Sequence, residues 1–367
     1  MANDLLYQIA LTRIPQVGCV QARLLIEKFG SAPAIFKAPQ AQLEKTEGIG
    51  TIRAKSIKAF SAFAEVEKEI QFIEKYKIQP LFISDKNYPQ RLLNCYDPPT
   101  LLYYRGEADL NYTKVVALIG TRSHTEYGKH LTESLVRELA AQKILIVSGL
   151  AFGIDSIAHK ASLKNNLPTV GVLAHGLDTI YPSQHSALAK DIIKQKGGLL
   201  TEFGSETQPD KHNFPTRNRI VAGMSDAVIV IESGIKGGSM VTAELANGYN
   251  KDVFAFPGRV TDPKSIGCNY LIKNNKAMLL TNAAELIQIM GWEEQKKPIS
   301  KKQKELFIQL SSNEKIITDI LKMQETISID ELNMKSGLSS SAVAAAILNL
   351  ELQNVVQSMP GKMYMLC

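Results

Sequence analysis

Six short runs of apolar, often β-branched residues recur from residue 114 onward, at 115–119, 144–147, 169–173, 198–201, 227–231 and 253–256. Amphipathic segments of helical length separate them. A run with no polar face predicts a strand covered on both sides, and alternation with helices predicts a parallel sheet in a doubly wound, Rossmann-like α/β domain. Two further strand-like runs, at 80–83 and 101–104, precede these and extend the sheet. The first 75 residues follow a different rhythm of short helices broken at Ile14-Pro15-Gln16-Val17-Gly18 and Glu47-Gly48-Ile49-Gly50. Each break predicts a helix-hairpin-helix, whose tight turn aims backbone N–H groups at a phosphate. A plain αα-hairpin explains the pattern equally well, because Arg53, Lys55 and Lys58 also suit a solvated face.

After Gly291 the chain turns polar in "GWEEQKKPISKKQK", the composition of a linker. Beyond it lie three helical patterns, at 313–323, 329–336 (with Ser328 as cap) and 339–353. Strand-like 355–357 and 363–366 follow around Pro360-Gly361, giving the order of a winged helix. The domain boundaries expected are therefore 1–75, 76–291, 292–304 and 305–367. The third winged-helix segment, "SSSAVAAAILNLEL", offers no Arg or Lys to DNA, which favours a protein partner over duplex reading.

Composition narrows the class. The 367 residues are 45% apolar, the content of an ordinary globular protein, and Lys plus Arg exceed Asp plus Glu by 42 − 36 = 6. That mild excess favours a polyanionic partner. Cys19, Cys95, Cys268 and Cys367 are scattered without ligand spacing, which argues for a reducing compartment and against structural zinc. Met1-Ala2-Asn3-Asp4 lacks a basic leader start, and no stretch approaches the ~18 apolar residues of a membrane span, so a cytoplasmic location is expected.

In a doubly wound sheet, ligands bind beyond the carboxyl ends of the strands. Three loops there are glycine-rich: Gly120-Thr121-Arg122-Ser123, "SGLAFGID" from Ser148 through Gly149 and Gly153 to Asp155, and "SGIKGGSM", with Lys236, Gly237, Gly238 and Ser239. Each leads into a helix whose N-terminal N–H groups attract anions. None is a G-x-G-x-x-G or a P-loop, so NAD, ATP and other cofactors are not expected.

The stretch "NFPTRNR", just before the strand-like 227–231 run, completes the picture. Arg217 and Arg219, with Arg122, Lys211 and Asn218, form a basic groove in which Phe214 offers a stacking face. Cations interleaved with an exposed ring suit single-stranded nucleic acid, since a duplex hides its bases. The alternatives are a core ring for Phe214, and salt bridges to Glu202 or Asp226 for the two arginines. Asp155 and His159, four apart, read as a helix-capping carboxylate beside a packed imidazole rather than an acid–base pair. His175, Asp178 and Tyr181-Pro182 shape a rim. Ser148 and Ser239 have no partnered base in reach, so nucleophilic catalysis has little support.

At "VALIGTRSHTEYG", "SGLAFGIDSIAHKASL", "TVGVLAHGLDTIYPSQH", "FPTRNRIVAG", "GGSMVTAELA" and "VFAFPG…SIGCNYLI" the chain resembles the DNA-processing protein A (DprA/Smf) family. The resemblance covers roughly residues 80–290. It implies an extended Rossmann-type domain that binds single-stranded DNA, forms homodimers and helps load the RecA recombinase during natural transformation. It carries DNA contact to Arg122, Phe214, Arg217 and Arg219. Where many members have S-G-S-L, this chain has Gly237-Gly238-Ser239-Met240, which leaves a role for the first serine open. An enzymatic reading competes: "GGSMVTAE" partly resembles the P-G-G-x-G-T-x-x-E loop of nucleoside-monophosphate phosphoribohydrolases, with Glu244 at the matching spacing. Lys236 stands where that loop has its proline and the threonine is displaced, so the expectation is a binding protein without turnover.

Overall fold

A computed structural model of the protein describes residues 2–293, 310–324, 326–353, 355–359 and 363–366. Residues 294–304 of the expected 292–304 linker, the Pro360-Gly361 turn and Cys367 lie outside the described residues. The chain divides into two compact units, Met1–Glu293 and Glu294–Cys367.

The first unit is built on nine strands: β1 (Gln79–Phe82), β2 (Leu101–Gly106), β3 (Val115–Ile119), β4 (Leu145–Ser148), β5 (Thr169–Val172), β6 (Gly198–Thr201), β7 (Ala227–Val230), β8 (Asp252–Ala255) and β9 (Met278–Leu279). Their order is β1-β2-β6-β5-β4-β3-β7-β8-β9. From β6 to β9 every pairing is parallel, while β1 and β2 add an antiparallel edge. The chain winds outward from β3 to β6, then returns to β7 on the other flank of β3. That reversal opens a crevice beyond the ends of β3 and β7.

The apolar runs follow from this coverage. Val115, Ala117 and Ile119 pack into the core that also holds Ile9, Leu25, Ile35 and Ile57 of the N-terminal helices. Val116 and Leu118 face the opposite core, with Ile146, Ile229 and Phe254. Neither side of β3 meets water, so a polar residue has no place in it.

The N-terminal helices turn at Gln16 and at Gly48 and Gly50, all with positive φ. Arg53 joins the two turns, donating to Gln16 O at 2.8 Å and to Gly48 O at 3.1 Å. Lys58 donates to Phe36 O and Ala38 O, at 2.8 and 3.1 Å. These two cations hold backbone carbonyls from the surface, where Lys58 stays exposed. Glu69, buried on the helix Phe63–Lys75, accepts from Arg13 Nη2 at 2.9 Å and from Ser205 Oγ at 2.8 Å, fastening the helices to the loop after β6.

In the second unit, helices Ser312–Leu321, Ile329–Ser336 and Ser340–Leu352 are each capped by a serine, Ser311, Ser328 and Ser339. Strand Met363–Leu366 lies between Ile327–Ser328 and Val356–Met359 in a three-stranded antiparallel sheet, one strand more than the sequence pattern predicts. Leu348 and Leu352 of the third helix remain exposed.

Removing the Glu69 carboxylate leaves Arg13 and Ser205 without their acceptor. Glu69→Ala is expected to destabilise the first unit by about 1–3 kcal/mol, read as a lower urea midpoint, and an unchanged midpoint would contradict the fastening role.

Candidate nucleic-acid interface

A cavity of about 390 Å³ lies at the β3/β7 crevice. Its walls come from the loops after β3, β4 and β7 and from the start of the helix Asn213–Gly223, including Gly120, Arg122, Gly149, Asp155, Phe214, Arg217, Asn218 and Lys236 to Ser239. The helix Gly238–Gly248 begins in the wall and directs its first N–H groups there, a partial positive charge for an anion. Ser239 Oγ lies 2.8 Å from Ser233 Oγ and ties the two ends of this loop together.

The loop carrying Arg122 is clamped by Glu232, at the end of the β7 run. Its backbone oxygen accepts from Thr121 N at 2.7 Å, and its buried carboxylate accepts from Thr125 N at 2.9 Å and from the Thr125 hydroxyl. Gly153, at φ 80°, packs under the same loop, where a Cβ would lie 2.1 Å from Thr121 O. So held, Arg122 is exposed with its Cζ 5.4 Å from the centre of the half-buried Phe214 ring. The Tyr181 ring flanks Phe214 at 6.0 Å, its plane inclined by 51°.

Arg217 occupies a different layer. Only 5% exposed, it donates through Nη1 to Gly149 O and Val172 O and through Nε to Asn218 Oδ1 at 3.1 Å. Gly149 permits this, since a Cβ there would sit 2.5 Å from Arg217 Nη1 and 2.7 Å from Asp155 Oδ2. Asp155 accepts from Gly149 N at 3.1 Å and Ala151 N at 3.4 Å, as a carboxylate at a helix start does. Burial lowers Arg217 to about 10 and raises Asp155, each partly opposed by the other's charge. Arg217 stays cationic at neutral pH.

The remaining expected residues stand in different surroundings. Arg219 leaves the pocket altogether: its guanidinium meets Glu202 and Asp97 and approaches Cys19 Sγ at 3.3 Å. The salt-bridge alternative describes Arg219, with Glu202 as partner, whereas Asp226 pairs with Arg91 at 2.6 Å. Burial pushes the Glu202 carboxyl up, against the Arg219 charge that pulls it down. Ser148, the last residue of β4, is buried and donates to Leu118 O of the neighbouring β3 at 2.6 Å. Lys211 is exposed just before the helix and outside the cavity wall, while Asn218 donates to Gly238 O at 3.3 Å and closes the wall between two elements. Glu244, the acid of the phosphoribohydrolase-like alternative, is also outside the wall and pairs with Lys276 at 2.7 Å. Glu232 escapes a reading by motif, its one signal being a lone acid that closes an apolar strand run, whereas Tyr181, expected at the rim, stands beside Phe214.

The profile of the DNA recombination-mediator protein A family matches residues 79–291. The chain belongs to that family. A DprA winged-helix profile matches 308–362 and a helix-hairpin-helix profile matches 9–70. Protein Smf of Synechocystis sp. is 30% identical, with 99% of each chain covered. The X-ray structure of DNA processing protein A from Streptococcus pneumoniae superposes with a TM-score of 0.67 at 32% identity, over 77% of this chain and 97% of that one. DNA processing protein A from Helicobacter pylori, described for its single-stranded DNA binding mode, gives 0.53 at 35% identity, over 58% and 95%. Among the described residues there is no metal-holding cluster and no helix long and apolar enough to cross a membrane.

His159, on the helix that Asp155 opens, is fully buried and takes no part in the cavity wall. Thr169 Oγ1 directs its proton to Ile146 O, so His159 Nδ1 carries the imidazole proton and donates to Thr169 Oγ1 at 2.7 Å. Nε2 remains a bare lone pair. Charging the ring would bury an unpaired N–H, and burial, with His185 and Arg217 adding to it, holds the pKa down to about 3. The unfolded chain therefore binds this proton first as pH falls below ~6.5, and the stability present above that value is lost progressively toward pH 3. Lowering pH from 6.5 to 5 should cost roughly 1.5 kcal/mol from this group. His159→Gln should show a flatter dependence of the urea midpoint on pH; parallel profiles would contradict the assignment.

Proposed function

We propose that this protein binds single-stranded DNA along the β3/β7 edge and acts as a recombination mediator. In that role it protects incoming strands and helps load the RecA recombinase during natural transformation. The observation that carries the reading is the Phe214 ring, half-open at the cavity mouth with the Arg122 guanidinium 5.4 Å from its centre. A ring for an unpaired base and a cation for the adjoining phosphate are what a single strand offers to bind and a duplex withholds. Gly120, Gly149, Gly237, Gly238 and Ser239 supply backbone approach, and Lys211 and Lys236 supply exposed charge nearby. Arg217 and Asn218 hold the wall instead of touching phosphate. The likeness to the Helicobacter pylori protein and its single-stranded DNA binding mode supports this assignment. The protein works without turnover, as a cytoplasmic homodimer whose two grooves raise avidity for long strands.

The test is competition on one labelled oligothymidine by unlabelled single strand and by duplex of equal length, at two salt concentrations. Single strand should compete at least about tenfold better at both, since stacking contributes roughly 1–3 kcal/mol per base. Equal competition by duplex would overturn the reading.

A further inference from the structure

Resting on that reading, we infer that the strand leaves the cavity across the 175–185 loop, where Tyr181 is a second stacking platform, taking the base next to the one on Phe214. Tyr181 is 48% exposed, and its hydroxyl has no hydrogen-bond partner among the described residues. A tyrosine that served the core would hide its ring and satisfy its hydroxyl. Here the ring stands open beside Phe214 at 6.0 Å. That separation exceeds the ~3.4 Å rise of stacked nucleotides, so adjacent bases part from one another and each meets its own ring.

The loop is held firmly enough to present a ring. His175 Nδ1 donates to Gly176 O at 2.8 Å, and its Nε2 accepts from Tyr181 N at 3.2 Å, fixing the backbone at the tyrosine. Thr201 Oγ1 donates to His175 O at 2.9 Å, and His185 Nδ1 donates to Leu150 O at 2.8 Å. Next to the loop, Phe152 is 44% exposed and rests edge-on against His185 at 4.9 Å, continuing the aromatic surface. Between 175 and 183 the loop carries no Lys or Arg, and Asp178 is its one carboxylate. Contact there is therefore by stacking, with phosphates kept on the Arg122 side.

Tyr181→Ala, Tyr181→Phe and Phe214→Ala are compared for melting temperature and then titrated with a twelve-residue oligothymidine over several salt concentrations. Tyr181→Ala should weaken binding roughly tenfold with the wild-type salt slope, and Tyr181→Phe should bind as wild type. Wild-type affinity in a folded Tyr181→Ala protein, while Phe214→Ala is weakened, overturns the Tyr181 platform and leaves the single-strand reading standing. Wild-type affinity in both alanine variants overturns the two together. Should Tyr181→Ala not fold, Tyr181→Trp decides: its emission should be quenched by the oligothymidine beyond any change at Trp292, and an unquenched ring overturns the platform.

Discussion

A buried guanidinium governs the architecture of the sheet edge. Arg217 has been taken out of water, and a cation so placed must find acceptors for its N–H groups or destabilise the fold by several kcal/mol. Its acceptors are the carbonyls of Gly149, just past β4, and Val172, the last residue of β5, with the Asp155 charge nearby. Three consecutive stretches of the winding are thereby drawn to one point. The helix Asn213–Gly223 can begin only where Arg217 reaches those carbonyls, and Phe214, one turn earlier, is carried to the mouth of the cavity.

The opposite wall depends on a buried anion. Glu232 holds both ends of the loop from Thr121 to Thr125, so Arg122 projects from a clamped turn. The site thus has two layers of charge. Arg217, Asp155 and Glu232 are buried and directed at backbone and hydroxyl groups, and they set shape. Arg122, Lys211 and Lys236 are exposed and remain available to a polyanion. Arg219 belongs to neither layer: through Glu202 and Asp97 it links the same helix to the start of the helix at Cys19.

Much of this was legible in the sequence because the coverage of the sheet leaves plain marks. The run at 115–119 coincides with β3 and the run at 198–201 with β6, since strands covered on both faces admit no polar residue. The two-residue β9 has no such run, and the antiparallel sense of β1 and β2 is set by pairing partners far away in the chain. Arg217 and Arg219 stand two apart in "NFPTRNR", and on an irregular segment such neighbours can share a groove. The helix in fact begins at Asn213, and residues two apart on a helix point about 200° from one another. One therefore faces the cavity wall and the other the N-terminal helices. Ser148 still belongs to β4 and spends its hydroxyl on the neighbouring strand, at Leu118 O. Tyr181 sits in an irregular loop, where no periodicity announces which way a ring will face.

The division into a shaping and a binding layer is tested most directly on its two arginines, Arg217→Met against Arg122→Ala. Each is followed by melting temperature and by oligothymidine affinity across a salt series. Arg122→Ala should melt as wild type and lower the slope of log K against log salt by roughly 0.7, one phosphate contact on a single strand. Arg217→Met should melt several degrees lower, and the folded protein should keep the wild-type slope. A reduced slope with unchanged melting in Arg217→Met, or an unchanged slope in Arg122→Ala, would contradict the account.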